Sequence, residues 1–210
     1  MYRMLVLLIS LVAFSGLAET LDSISLPKPD RQGGKPLMQA LSNRSSAREF
    51  APDALPEQVL SNLLWAGFGV NRPDGHRTAP SAMNRQTVDV YVLTANGAYV
   101  YEGAGHRLRL VVGRDLRALA GTQSFVASAP VNLVYVSDYT KMASSSDSDK
   151  LLFSGAETGF ISQNVYLYCA SEGLATVVRA SIDRAALAAA LKLRPDQKIT
   201  LAQTVGRPRK

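Results

Sequence analysis

Apolar positions recur with two different periods along this chain, and each period predicts one kind of element. Short segments in which every second residue is apolar, or in which apolar residues form a brief unbroken run, are typical of β-strands. The predicted strands are residues 88–93, 99–101, 108–112, 131–136, 174–178 and 199–205. Asn96 and Gly97, between the first two strands, form a dipeptide typical of tight hairpins, which predicts antiparallel pairing there.

Apolar residues spaced three or four apart predict helices around these strands. The predicted helices are residues 36–43, 56–68, 116–120, 153–172 and 184–191. The longest of them, 153–172, is followed by Gly173, a residue that suits the left-handed position after a helix. Helices mixed with an antiparallel hairpin favour an α+β fold over a doubly wound parallel sheet.

The first 18 residues have the pattern of an export signal. Arg3 precedes an apolar run over residues 4–14, and the small residue Ala18 suits cleavage before Glu19. The run is shorter than the ~20 apolar residues of a transmembrane helix, although an uncleaved anchor is the alternative interpretation. We therefore expect an exported protein, periplasmic or secreted, with no stable membrane insertion once the signal is removed.

The rest of the chain has the composition of one folded domain. Residues 19–35 are rich in Pro and Gly and predict a linker or surface arm, and residues 36–210 form the predicted domain. Of the 210 residues, 47% are hydrophobic and 19% are charged, which excludes a disordered chain. The formal net charge of +6 favours an acidic or phosphorylated partner, or only a basic surface. Because the basic residues are scattered, we expect no nucleic acid as partner.

Few of the usual catalytic groups are available in this sequence. Cys169 is the single cysteine, which excludes an intramolecular disulfide and a cysteine zinc cluster. The two histidines, expected in exposed loops, are too few for a histidine-rich metal site. The GxSxG, P-loop and HExxH patterns and the post-strand GxGxxG pattern do not occur. If the chain is an enzyme, a bound cofactor must therefore carry the chemistry.

One polar segment suits a phosphate group. Residues 43–50, NRSSAREF, place Arg44, Ser45, Ser46 and Arg48 within five positions. An arginine offers a bidentate fork and a serine offers a short donor, so together they match phosphate oxygens. A solvated basic turn is the alternative interpretation.

A second polar segment suits a heterocyclic ring. Residues 79–86, APSAMNRQ, begin with a tight turn at Pro80 and Ser81 and carry carboxamides at Asn84 and Gln86. Each carboxamide offers a donor and an acceptor, which matches a ring with alternating N–H and C=O groups. An ordinary polar turn is the alternative interpretation.

Taken together and in this order, these segments resemble motifs of the FMN-dependent nitroreductase superfamily. Residues 44–48 resemble its Arg-x-Ser-x-Arg flavin motif, and residues 80–86 resemble its Pro-Ser-x-x-Asn-x-Gln segment. The long helix running into Gly173 resembles its central helix, and the resemblance covers residues 36–208. The segments RPDGHRTAPSA, NGAYVYEGAGHRLRLV and SQNVYLY are similar to the azoline-oxidase-type branch, whose members make thiazole and oxazole rings in peptides.

The resemblance implies a fold, a cofactor and an activity. The implied fold is a central, mostly antiparallel sheet sandwiched by helices, with a long central helix that takes part in a homodimer. The implied cofactor is FMN at the subunit interface. The implied protein is an FMN-dependent oxidoreductase with a ping-pong cycle, in which a small-molecule donor reduces the flavin and leaves before an organic acceptor takes the electrons. A non-catalytic exported protein that binds flavin or another anion on the same scaffold is the alternative.

The resemblance also implies site residues, none of which acts as a general acid. The residues implied for one subunit are Arg44, Ser45, Ser46 and Arg48 for the phosphate and pyrimidine edge, Ala180 and Ser181 for a backbone N–H to flavin N5, and Arg207 with Arg209 for the phosphate. The residues implied for the partner subunit are Pro80, Ser81, Ala82, Asn84 and Gln86.

Overall fold

The structure, a computed structural model, describes residues 23–209, so the predicted export signal lies outside the described residues. The strands of this part of the chain are β1 (Ser23–Ser25), β2 (Val88–Thr94), β3 (Gly97–Glu102), β4 (Arg107–Val112), β5 (Val131–Asp138), β6 (Ala175–Arg179) and β7 (Gln197–Gly206). Its α-helices are α1 (Leu37–Asn43), α2 (Glu57–Phe68), α3 (Asp147–Glu172) and α4 (Arg184–Ala190). Within residues 23–209 no helix combines the length and apolar character needed to span a membrane.

All seven of these strands form one antiparallel sheet in the order β1-β4-β3-β2-β5-β7-β6. β5 lies at its centre, paired with β2 on one side and with β7 on the other, and all eight of its residues are buried. The predicted hairpin joins β2 to β3, with Thr94 opposite Gly97. The expected α+β fold around an antiparallel sheet is confirmed.

Helices cover both faces of the sheet. Alternate residues of a strand point to opposite faces, so Val90 and Tyr91 of β2 belong to different cores. The core that contains Val90 also contains Ile161 and is closed by α2 and α3. The core that contains Tyr91 also contains Leu187 and is closed by α4 and by the 3-10 turn Arg117–Ala120, which the sequence predicts as a short helix. The sheet is therefore sandwiched by helices, as expected.

The long helix begins earlier than the apolar pattern predicts. Its first residue is Asp147 rather than Phe153. The hydroxyl oxygen of Ser146 accepts a hydrogen bond from the backbone N–H of Asp149 at 3.1 Å, which caps the helix. The polar residues just before Phe153 therefore supply the cap and the first turn of the helix. The other end is at Gly173, whose φ of 69° is the predicted left-handed C-cap.

The predicted arm lies along the surface and is held there by hydrogen bonds. Residues 23–25 of this arm form β1, a strand that the sequence does not predict, and β1 pairs with β4 at the edge of the sheet. The carbonyl of Pro27 accepts a hydrogen bond from Ser61 Oγ at 2.5 Å and lies 3.1 Å from His106 Nε2. The other ring nitrogen of His106 lies 2.9 Å from the Tyr101 hydroxyl. His106 is therefore partly buried, and the expectation of an exposed loop histidine is wrong at this position.

Candidate functional site

The arginine–serine segment, residues 44–48, follows α1 and lies against α3. Tyr166 of α3, which is 7% exposed, accepts a hydrogen bond from the backbone N–H of Val178 at 2.9 Å. Its hydroxyl also forms a hydrogen bond with Ser46 Oγ, 2.8 Å away. The guanidinium of Arg44 lies 5.4 Å from the centre of the same ring. Tyr166, which the sequence motifs do not indicate, thus links this segment to the end of β6.

The C-terminal residues bring further arginines to this region. The backbone N–H of Ala51 donates to the carbonyl of Arg207 at 2.9 Å, and the N–H of Arg209 donates to the carbonyl of Glu49 at 3.3 Å. This pairing places Arg48 and Arg209 around one open depression of about 590 Å³. The remaining residues that line the depression are Glu49, Phe50, Ser124, Phe125 and Ser128.

The arginines of this region form no ion pairs within the described chain, although Glu49 lines the same depression as Arg48 and Arg209. Arg44, Arg48, Arg207 and Arg209 are exposed, and none forms a salt bridge with another residue between 23 and 209. Ser45 is exposed beside them. Guanidinium groups bind phosphate oxygens through parallel N–H donors. This region therefore suits a ligand that carries a phosphate.

The carboxamide turn, residues 80–86, is strained. Met83, Asn84 and Gln86 have φ angles of 54°, 53° and 48°. This left-handed conformation costs a residue with a side chain about 1–2 kcal/mol. The backbone N–H of Gln86 donates to Ser81 Oγ at 2.9 Å, which closes the turn. Backbone strain of this kind accumulates at functional sites, because the surrounding structure must maintain it.

The two carboxamides of this turn have different surroundings. Gln86 Oε1 accepts a hydrogen bond from Arg77 Nε at 2.7 Å, and its Nε2 donates to Gly75 O at 3.0 Å and to Asn84 Oδ1 at 3.1 Å. The Gln86 side chain therefore supports the neighbouring loop and orients Asn84. Asn84 is exposed, and its Nδ2 donates to no other residue of the described chain. Of the two, Asn84 is the carboxamide available to a ligand.

A buried carboxylate holds both ends of the carboxamide turn. Glu157 of α3 is 2% exposed. Its Oε1 accepts from the backbone N–H of Ala82 at 3.1 Å, and its Oε2 accepts from the backbone N–H and the hydroxyl of Thr87 at 3.2 and 2.6 Å. These donors offset the burial of a charge that forms no salt bridge within the described residues. Sequence reasoning missed Glu157 because a charged residue on a long helix normally indicates a solvated face.

One chain holds the two segments at different turns of α3. The carboxamide turn contacts Glu157, and the arginine–serine segment contacts Tyr166, nine positions later. Nine residues extend ~13 Å along a helix. No hydrogen bond joins the two segments within residues 23–209. Within one chain the two segments therefore lie at separate places along the helix.

The turn after β6 offers a backbone donor. The carbonyl of Ser181 accepts from the N–H of Thr122 at 3.1 Å, and the N–H of Ile182 donates to Ala180 O at 2.9 Å. Ala180 and Ser181 are exposed, and the N–H of Ser181 has no acceptor in the described chain. Next to Thr122, the side-chain oxygen of Gln123 is buried and has no hydrogen-bond partner among residues 23–209. Such an acceptor costs about 1–3 kcal/mol, and a ligand that donates to it removes that cost.

The fold and these segments define a known class of proteins. Residues 41–207 match the nitroreductase family, and the chain belongs to that family. A crystal structure from Ralstonia eutropha JMP134, provisionally named a nitroreductase, is 41% identical with a TM-score of 0.86, over 96% of this chain and 97% of that chain.

Two further proteins are similar to this chain. A protein of Methanocaldococcus jannaschii, also provisionally named a nitroreductase, is 31% identical over 166 residues, which are 74% of this chain and 83% of that protein. A provisionally named nitroreductase of Desulfovibrio desulfuricans, whose crystal structure is a complex with FMN, is 22% identical with a TM-score of 0.60, over 85% of this chain and 89% of that chain. The last likeness shows the fold alone.

Membership of the nitroreductase family supports an oxidoreductase. The azoline-oxidase-type branch stays a prediction.

Proposed function

We propose that the protein is an FMN-dependent oxidoreductase that works in two half-reactions. A small-molecule donor would reduce the bound FMN by two electrons and leave, and an organic acceptor would then take up those two electrons together with protons. The observation that carries this proposal is the cluster of exposed arginines at residues 44, 48, 207 and 209, which have no carboxylate partners in the described chain. A phosphate ester would neutralise much of this charge through bidentate hydrogen bonds.

The residues present fit FMN. The arginine cluster suits the phosphate, the N–H of Ser181 is free to donate to flavin N5, and the orphaned oxygen of Gln123 can accept from a flavin N–H or hydroxyl. When bound, FMN supplies the two-electron chemistry, which accounts for an oxidoreductase without a catalytic side-chain motif. In the FMN-bound protein, the chain's own residues would bind the phosphate and orient the ring.

We further propose that the site is completed by a second copy of the chain. Large apolar side chains are exposed at two places: Leu37 by 63% and Met38 by 74% on α1, and Leu151 by 70% and Leu152 by 65% near the start of α3. Exposed apolar side chains of this size are commonly covered at an interface. A homodimer that covers them would let the carboxamide turn of one subunit meet the arginine–serine segment of the other.

We also propose that the protein is exported to the periplasm or secreted, because residues 1–18 have the pattern of a cleavable signal. Nicotinamide cofactors are scarce outside the cytoplasm, so the donor is best sought among reduced small molecules in general, including quinols. N-terminal sequencing of the protein recovered from the periplasmic or extracellular fraction tests this point, with Glu19 expected as the first residue.

The first experiment is an FMN titration of the purified protein. We expect quenching of flavin fluorescence with saturable binding, and a yellow protein with a flavin absorbance band after removal of excess FMN. Anaerobic addition of NADH, NADPH or a quinol should bleach that band, and an acceptor such as a nitroaromatic compound should restore it. Binding without bleaching by any donor would favour the non-catalytic alternative, which family membership does not favour.

Charge reversal in the arginine–serine segment tests the phosphate assignment. We expect Arg44→Glu with Arg48→Glu to weaken FMN binding by at least a hundredfold, because each charge-assisted hydrogen bond contributes about 1.5–3 kcal/mol. Arg114→Glu, an exposed arginine outside the cluster, is the control and should bind FMN normally. Riboflavin, which lacks the phosphate, should bind the wild-type protein and the double variant with similar affinity. An equal loss for riboflavin would contradict the assignment.

A further inference from the structure

Arg179 is a buried cation without an anionic partner. It ends β6 and is 7% exposed. Its guanidinium donates only to neutral oxygens: Thr204 Oγ1 at 2.9 and 3.2 Å, Asn132 Oδ1 at 2.6 Å and the carbonyl of Ala120. Burial lowers the pKa of Arg179 to about 10, so the group remains charged at neutral pH.

The described chain supplies no counter-charge for this guanidinium. Arg179 forms no salt bridge with any residue between 23 and 209. A buried charge without a partner is costly, because neutral hydrogen-bond acceptors replace only part of the hydration that it loses. Arg179 can therefore stabilise a negative charge on a molecule that binds nearby.

The position of Arg179 indicates where such a negative charge on a bound molecule would lie. Arg179 directly precedes the turn at Ala180 and Ser181, and its bond to Ala120 fixes the loop from which Thr122 N donates to Ser181 O at 3.1 Å. Gly121 makes this arrangement possible, since a Cβ atom at that position would clash with the guanidinium. The cation therefore lies immediately behind the backbone donor that faces flavin N5 in the proposed function.

We propose that Arg179 is a positioning residue that holds this turn and raises the reduction potential of the bound flavin. The inference rests on the proposed function. Uptake of two electrons and one proton adds one negative charge to the flavin ring. A fixed cation in a low-dielectric interior stabilises that charge more than the exposed arginines do, because water and salt screen the latter.

The test is the midpoint potential of the FMN-loaded protein, measured by anaerobic titration with dithionite and a reference dye. Arg179→Gln removes the charge, and Arg179→Lys keeps it. Thr204→Asp keeps the arginine but sets a carboxylate where Thr204 Oγ1 now accepts from Nε and Nη2. Arg107→Gln removes an exposed charge from β4, on the other half of the sheet, and is the control.

We expect Arg179→Gln and Thr204→Asp to weaken the binding of reduced FMN relative to oxidised FMN by about tenfold, which lowers a two-electron potential by about 30 mV. Arg179→Lys and Arg107→Gln should stay at the wild-type potential. The affinity for oxidised FMN, measured by fluorescence quenching, should change less than threefold in all four variants.

Several results would overturn the proposal. An unchanged potential in folded Arg179→Gln or Thr204→Asp excludes the electrostatic role. A weaker affinity for oxidised FMN at constant potential makes Arg179 a counter-charge for the phosphate instead. Loss of folding by circular dichroism in both variants assigns a structural role. If the wild-type protein does not bind FMN at all, the proposed function fails, which is a distinct outcome.

Discussion

Glu157 stabilises the carboxamide turn as a single buried residue, and its replacement tests that role. Glu157→Gln keeps one acceptor oxygen but turns an amide N–H₂ toward donors of Ala82 or Thr87. Because one or two buried donors then lack an acceptor, we expect a loss of about 1–3 kcal/mol in the free energy of unfolding, measured by urea denaturation. FMN binding should weaken with it, because the turn is no longer held.

Glu172→Gln is the matched control for this prediction, since Glu172 lies on the same helix but is exposed at its end. Glu172→Gln should leave both the free energy of unfolding and the affinity for FMN unchanged. An equally stable Glu157→Gln would show that the strained turn is maintained by other contacts.

His106 makes the attachment of the arm dependent on pH. Burial lowers the pKa of His106, so the folded protein binds this proton less readily than the unfolded chain does. By the linkage relation, the contribution of His106 to the free energy of unfolding is complete above the ordinary histidine pKa of ~6.5. This contribution is lost as the pH falls below that value. The groups facing the ring are Tyr101, Ser61, the Pro27 carbonyl and, more distantly, Arg31, which adds positive charge.

Thermal melting between pH 7.5 and 5.0 checks this expectation. The melting temperature of the wild-type protein should fall over this range by more than that of His106→Asn, a variant chosen because asparagine tolerates the positive φ of 44° at this position. Parallel curves for the two proteins would remove His106 as the source of the acid sensitivity.

At the scale of single residues, the sequence indicates the candidate segments but not the residues that position them. Arg44, Ser46 and Asn84 stand within motifs that local chemistry makes visible. Glu157 and Tyr166 lie far along the chain from the segments they hold, so their roles arise only from tertiary contacts. Tyrosine and glutamate on a helix have no local pattern that distinguishes such roles from ordinary packing or solvation.

At the scale of elements, apolar periodicity predicts the middle of each helix and strand well and the polar ends poorly. α3 begins within the sequence Ser-Asp-Ser-Asp, where no apolar residue marks the helical period. Its cap is a side-chain hydrogen bond rather than a packed face. β1 is missed for a related reason, since three residues at a sheet edge are too few to show a period.

The cap of α3 gives a prediction at this scale. Ser146→Ala removes the hydroxyl that accepts from Asp149 N, and we expect a loss of about 1 kcal/mol in the free energy of unfolding. Ser144→Ala, an exposed serine before the cap, is the control and should be neutral. Urea denaturation of both variants provides the comparison, and equal midpoints for the two would contradict the capping role.

At the scale of the whole molecule, the fold class could be predicted from sequence but the strand order could not. Strand periods and one hairpin signal suffice for an α+β fold with antiparallel pairing. The neighbours of β5 are β2 and β7, which lie far from it in sequence, and local patterns contain no information on such pairing. The sandwiched antiparallel sheet was instead implied by the family resemblance, and the structure confirms it.

The proposed dimer gives a prediction at this scale. Met38→Asp combined with Leu152→Asp places one charge at each of the two exposed apolar sites, on α1 and near the start of α3, and we expect a monomer by size-exclusion chromatography with light scattering. FMN binding should be lost as well, although the arginine–serine segment is intact, because the partner's carboxamide turn is absent. Ile24→Asp, an exposed apolar residue on β1, should leave a dimer. A monomeric wild-type protein that binds FMN would contradict the shared site.

The pairing of β1 with the sheet limits the distance between the folded domain and any segment joined to its N-terminal end. Four residues, 19–22, separate the predicted cleavage point after Ala18 from β1, which is already paired with the sheet. Fully extended, they reach only ~14 Å. We expect that a signal segment left uncut would hold the folded domain beside the bilayer, whereas cleavage after Ala18 would release it to diffuse.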